Sequence, residues 1–209
     1  MPDRPSTLER LVFFSDAVFA IAITLLAIDL RLPPLRTPDG AGLLEALSES
    51  RGELYAFALS FFIVGTFWVA HVRTMHSIES TNGRLVGLNL VFLFFIALLP
   101  FPTSVLADHG DLPAGAITYA LFMAATGLAS VAVWVYATSV GLAAVEPAYA
   151  RGFALRLLTT PAILAASIPL ALVSPLAAEL IWLLSFPASA VVSRRLGIDA
   201  AVRRALSSE

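Results

Sequence analysis

The sequence of 209 residues contains no cysteine, which excludes disulfides and thiolate metal sites and leaves the redox compartment unread. Its thirteen basic side chains are all arginine, and with fifteen acids the formal charge is −2. No basic stripe of the kind that binds nucleic acid is present. Charge is scarce throughout, at 13%, against roughly 25% in an average soluble domain. What fills the space is apolar: 58% of residues are hydrophobic, and the mean hydropathy is +0.86. Segments of about 20 apolar residues match the roughly 30 Å hydrocarbon layer of a bilayer, and this chain has several. The composition therefore predicts an all-α membrane protein.

Six spans are expected within one domain covering residues 1–209, at about 10–31, 52–74, 84–106, 114–140, 153–172 and 176–193. Arg4 and Arg10 before an apolar run resemble a signal peptide. Asp16 inside the run, the absence of a small-x-small cleavage site and the continuation to Leu30 argue for a retained span instead. Pro33, Pro34 and Pro38 should stop the first span, Pro100 and Pro102 should bend or fray the end of the third, and Pro161, Pro169 and Pro187 should kink the fifth and sixth. Residues Gly42 to Glu53 could prolong the second span as an amphipathic turn or two.

Arginine distribution sets the expected orientation. With the N-terminus inside, Arg4, Arg10, Arg73, Arg84, Arg151, Arg156, Arg194, Arg195, Arg203 and Arg204 face the cytoplasm, and Arg31, Arg36 and Arg51 face the other side. This is the positive-inside pattern with both termini cytoplasmic.

That orientation gives polar residues a depth. Asp16 lies six residues beyond Arg10, about 9 Å further into the membrane at 1.5 Å per residue. "RLVFFSD", "FWVAHVR" and "GRLVGLN" then bring Arg10, Ser15, Asp16, Trp68, His71 and Asn89 to one layer. An aspartate at a helix centre costs about 2.5 to 3.5 kcal/mol on insertion scales, so a buried polar network is expected to offset it. The alternative is that Asp16 and His71 bind an ion or relay protons. No trio of histidines and carboxylates stands at metal-ligand spacing, so neither a metal nor a cofactor is expected.

At 100° per residue, Ala17, Ile21, Thr24 and Ile28 form one narrow face of the first span, and Asp16, Ala20, Ile23 and Ala27 form its neighbour. Small residues on the second stripe suit close helix packing, so that stripe is expected to make the protein contacts. The first stripe has two readings. It faces lipid or core with Thr24 bonding its own backbone, or several copies of it surround an axis as hydrophobic rings.

Arg10 and Phe14-Ser15-Asp16 in the spacing R-x-x-x-F-S-D, followed by "AVFAIAITLLAIDLRLP", resemble the first helix of the transmembrane protein 175 family, the lysosomal potassium channels and their prokaryotic relatives. "SFFIVGTFWVAHVRTMHSI" and "NLVFLFFIALLPFPTSVLADH" are similar to that family's second and third helices. Like the family, the chain has no T-V-G-Y-G filter. The resemblance implies a pore lined by the first helix, with a constriction at Ile21, a selectivity-linked threonine at Thr24 and a second apolar ring at Ile28. It also implies a packing and gating role for the motif arginine, serine and aspartate. Prokaryotic relatives often carry leucine where both rings here are isoleucine. Animal members carry two six-helix repeats and dimerise, so one F-S-D motif implies a homotetramer.

The expected function is a potassium-permeable cation channel in a prokaryotic inner membrane, modestly selective over sodium, with itself, the bilayer and potassium ions as partners. A secondary transporter or proton-coupled carrier is the alternative. An enzyme is not expected, because no nucleophile constellation accompanies Asp16 and His71.

Overall fold

The computed structural model describes residues 6–28 and 30–196, so Arg4, Arg203 and Arg204 lie outside the described residues. The N-terminal helix α1 (Thr7–Leu25) starts from a capping box. The Ser6 hydroxyl accepts from the Glu9 amide at 3.2 Å, and the Ser6 amide donates to the Glu9 carboxylate at 2.6 Å. The helix is shorter than the sequence suggested. Beyond Leu25 the backbone tightens into i→i+3 bonds, Ala27 to the Thr24 carbonyl and Ile28 to the Leu25 carbonyl, before the prolines arrive.

Residues 40–49 form a separate helix, α2 (Gly40–Glu49), rather than an extension of the second span. It is capped by Asp39, whose carboxylate accepts from the Gly42 amide at 2.8 Å. Ser50, at φ −78° and ψ 7°, turns the chain into α3 (Arg51–His76). Next come α4 (Gly83–Leu98) and α5 (Pro100–His109), with the break at Leu99. Pro100 and Pro102 bring no amide hydrogen to the helical ladder there. Helix α6 (Pro113–Ser139) is followed by α7 (Pro147–Ala171), which begins at Pro147 rather than at residue 153 and carries Pro161 and Pro169 inside it. The last predicted span is α8 (Pro175–Trp182) and α9 (Ser185–Arg195), separated by Leu183 and Leu184. Pro187 accounts for that break, since its ring excludes the bond to the Leu183 carbonyl.

Among the described residues no strand forms, and Ile78 and Ala143 make an isolated antiparallel bridge. Five segments are long and apolar enough to cross a membrane: Arg51–His76, Gly83–His109, Pro113–Ser139, Pro147–Ala171 and Pro175–Arg195. Helix α1 is not among these five. It holds three charged residues, Glu9, Arg10 and Asp16, within its 19 residues, more charge than a span of that length usually carries.

Helices α6 and α7 make the most extensive pairing. It depends on Gly127, where an added Cβ would stand 2.9 Å from Cδ and Cγ of Pro161. Aromatic rings fill the remainder: Trp134 meets Phe153 edge-on at 4.8 Å, and Tyr119 stacks on Trp182 at 5.0 Å. The Trp182 indole donates to the Ser167 hydroxyl at 2.6 Å, so its polar edge is satisfied within the core.

Candidate functional site: the open face of α1 and the polar layer behind it

Helix α1 packs on α3 and α4. It does so through Leu11, Ser15, Phe19, Ala22 and the following Leu26, all buried. At 100° per residue these lie together on one face. The small-residue stripe expected to make the contacts does not form that face: Asp16 and Ile23 are half-buried at its flank, and Ala20 and Ala27 are exposed. Bulk decides the difference. Phe19 fills the gap between the helices, meeting His71 at 5.7 Å and Phe92 at 5.8 Å, which alanines could not do.

Ala17, Ile21, Thr24 and Ile28 project on the side away from the packed face, and all four are exposed in the single chain. Ile21 is 59% and Ile28 61% exposed. Ile28 stands in the turn after α1 rather than in the helix. The Thr24 hydroxyl lies 2.8 Å from the Ile21 carbonyl and 3.0 Å from that of Ala20, and donates to this pair on its own helix.

Behind this face lies a polar layer. The Trp68 indole donates to Oδ1 of Asp16 at 3.0 Å. The Asn89 amide donates to the Ser15 hydroxyl at 3.0 Å, and that hydroxyl donates to the Leu11 carbonyl at 2.8 Å. The structure thus pairs Asp16 with Trp68, and Ser15 with Asn89. His71 stands beside these pairs. The imidazole is buried between Phe19 and Phe92, 5.3 Å from the Phe92 ring, and its Nε2 has no partner among the described residues. Arg10 is exposed at the start of α1, and no described side chain pairs with it. Among the described residues, no group of three histidine, cysteine or carboxylate side chains could hold a metal ion.

At the α2 end of the bundle, a cavity of about 380 Å³ brings Arg31 beside Glu53, Asp108, Thr103 and Ser104. Sequence reasoning passed over Glu179, which is buried in α8 and faces Tyr55 of α3. An acid inside a predicted span was the available signal.

Residues 10–100 match the family model described as endosomal/lysosomal potassium channel TMEM175. Over these residues the chain is similar to the TMEM175 family. A potassium channel of Streptomyces collinus is 37% identical over 137 residues, 63% of this chain and 65% of that one. A potassium channel of Chamaesiphon minutus is 33% identical over 108 residues, 52% of this chain and 53% of its own length. The chain thus spans less than two thirds of the length of these relatives. The human relative, named an endosomal/lysosomal proton channel, is 26% identical over 132 residues, 62% of this chain and 25% of that protein. The fold is that of the crystal structure of a lysosomal potassium-selective channel TMEM175 homolog from Chamaesiphon minutus, at a TM-score of 0.77. That match has 24% identity and covers 92% of this chain and 99% of the other. The TMEM175 family is one of ion channels rather than enzymes. With five apolar spans, this chain is an integral multi-pass membrane protein.

Proposed function

We propose that this chain forms a homotetrameric, potassium-permeable cation channel in a prokaryotic inner membrane. In this reading α1 is the sixth span, both termini are cytoplasmic, and α1 from each copy lines a central pore. The observation that carries it is the exposed stripe of Ala17, Ile21, Thr24 and Ile28, set on the side of α1 away from its packed face.

Rings of isoleucine make a constriction that an ion crosses only by shedding water, and such apolar rings gate by wetting and dewetting. Potassium holds its hydration shell less tightly than sodium, so a dehydration barrier with threonine oxygens favours it modestly. The buried pair Ser15–Asn89 and the partly exposed pair Asp16–Trp68 hold α1 at a fixed rotation, and rotation determines which side chains reach the axis. No cofactor takes part, and potassium is the cargo.

A carrier draws on one observation: the spans are broken at Leu99 and at Leu183–Leu184. Discontinuous helices in carriers present backbone to a polar midplane site. Here Leu99 is fully buried among apolar residues, which favours the channel.

Purified protein in planar bilayers under opposed potassium and sodium gradients tests this. Unitary current steps reversing toward the potassium equilibrium potential are expected. Saturable flux without unitary steps would establish a carrier instead.

A further inference from the structure

We infer that Glu179 on α8 is a proton-binding site, and that the proton it holds keeps α8 docked against α3 and α6. The site lies among α3, α5, α6 and α8, apart from the α1 stripe, and it goes beyond the channel reading.

Packing fixes where this acid sits. One turn further along α8, Trp182 stacks on Tyr119 of α6 at 5.0 Å and donates to Ser167 of α7 at 2.6 Å. Residues three apart share a helix face, so the same contact turns Glu179 inward, where it is only 8% exposed. Tyr55 faces it from α3, and Tyr119 from α6. Its Oε1 lies under the turn after α5, 3.1 Å from where a Cβ on Gly110 would stand.

These surroundings suit a neutral carboxyl. A carboxylate only accepts hydrogen bonds, whereas a protonated carboxyl also donates one. Buried as a charge, it calls for a cation or several committed donors. Among the described residues no cation pairs with Glu179. Helix α7 carries Arg151 and Arg156 in its first half, and α9 carries Arg194 and Arg195 in its last turn. The Tyr119 hydroxyl is engaged elsewhere, 3.1 Å from that of Ser60, and Ser60 lies 2.8 Å from the Thr103 hydroxyl. That leaves Tyr55, whose hydroxyl can accept from a protonated carboxyl as readily as it donates to a charged one.

Water is close at hand. Gly110 puts no side chain over Oε1, and its neighbours Asp108, His109 and Asp111 on the same turn are exposed. A proton therefore has a short way in at the α2 end of the bundle. When it leaves, a charge without a counterion remains between α8, α3 and α6, and α8 loosens.

The full chain, purified in detergent, tests this through infrared spectra and amide exchange taken over a range of pH. As pH rises, the parent should lose the carbonyl band of a protonated carboxyl, and exchange in α8 should accelerate over the same interval. Glu179→Gln keeps the shape and cannot ionise, so it should lack the band and hold α8 protected throughout. Tyr55→Phe keeps the acid and removes the hydroxyl that faces it. There the band should shift in frequency and vanish over a different pH interval, a readout that serves equally if the glutamine variant does not fold. A glutamine variant whose band and α8 exchange follow pH as the parent's do overturns the inference. So does a band that Tyr55→Phe leaves unmoved, or a folded parent with no such band at any pH.

Discussion

The indole of Trp68 on α3 donates to the carboxylate of Asp16 on α1, 3.0 Å away, and so links the pore-proposed helix to the first of its two supports. This is where an aspartate in an apolar helix finds a partner. Trp68→Phe keeps most of the bulk and removes the donor. Because the pair is partly exposed, the expected loss is about 1 to 2 kcal/mol. Thermal unfolding in detergent measures it, and Asp16→Asn should cost less in the Trp68→Phe background than alone. Additive losses would show that the two groups are not coupled.

Ser15 and Asn89 are both fully buried, and each lacks a water-facing alternative. A double-mutant cycle of Ser15→Ala and Asn89→Ala should return a coupling of about 0.6 to 1.7 kcal/mol, the range of hydrogen bonds between membrane helices. Coupling near zero would assign the stability of this contact to packing alone.

Gly127→Ala places a methyl against the Pro161 ring, where the spacing is 2.9 Å. Overpacking of this kind costs about 1 to 3 kcal/mol. Adding Pro161→Ala should recover part of the loss, because it removes the ring carbons that the methyl meets. Absence of any recovery would place the strain elsewhere.

Ile21→Asn puts amides where the proposed constriction is driest, and Ile21→Val keeps it apolar. In bilayer recordings the asparagine variant should leak at all voltages while the valine variant keeps the parental gating. Equal conductance in all three proteins would remove Ile21 from the ion path.

Asp39 caps α2 from outside the membrane. Its hydrogen bonds to Gly42 and Thr37 hold its carboxyl below the ordinary value of 3.8. A lowered folded value means that the cap contributes fully above 3.8 and is lost as pH falls through the lower, folded value. Amide exchange in α2 should accelerate over that acidic interval in the parent and be insensitive to it in Asp39→Ala.

The all-helical class was legible because apolar runs of membrane length have few other readings. Proline positions also carried information: the break before Pro187 and the one at Pro100 are local steric consequences. Which face of α1 packs was not legible. A membrane helix is apolar toward lipid and toward protein alike, so periodicity cannot separate Phe19 and Ala22 from Ala20 and Ala27; only the space between α3 and α4 does. The end of α1 was overestimated for a related reason. Leu26, Ala27 and Ile28 are as apolar as the helix before them, and nothing in these three residues marks the change to i→i+3 bonding.

One consequence of the Thr24 geometry concerns the sign of the permeant ion. Its hydroxyl hydrogen is committed to carbonyls of its own helix, so toward the proposed axis the oxygen has only lone pairs to offer. Four such oxygens would form a collar of partial negative charge without any carboxylate, attractive to a stripped cation and repellent to chloride.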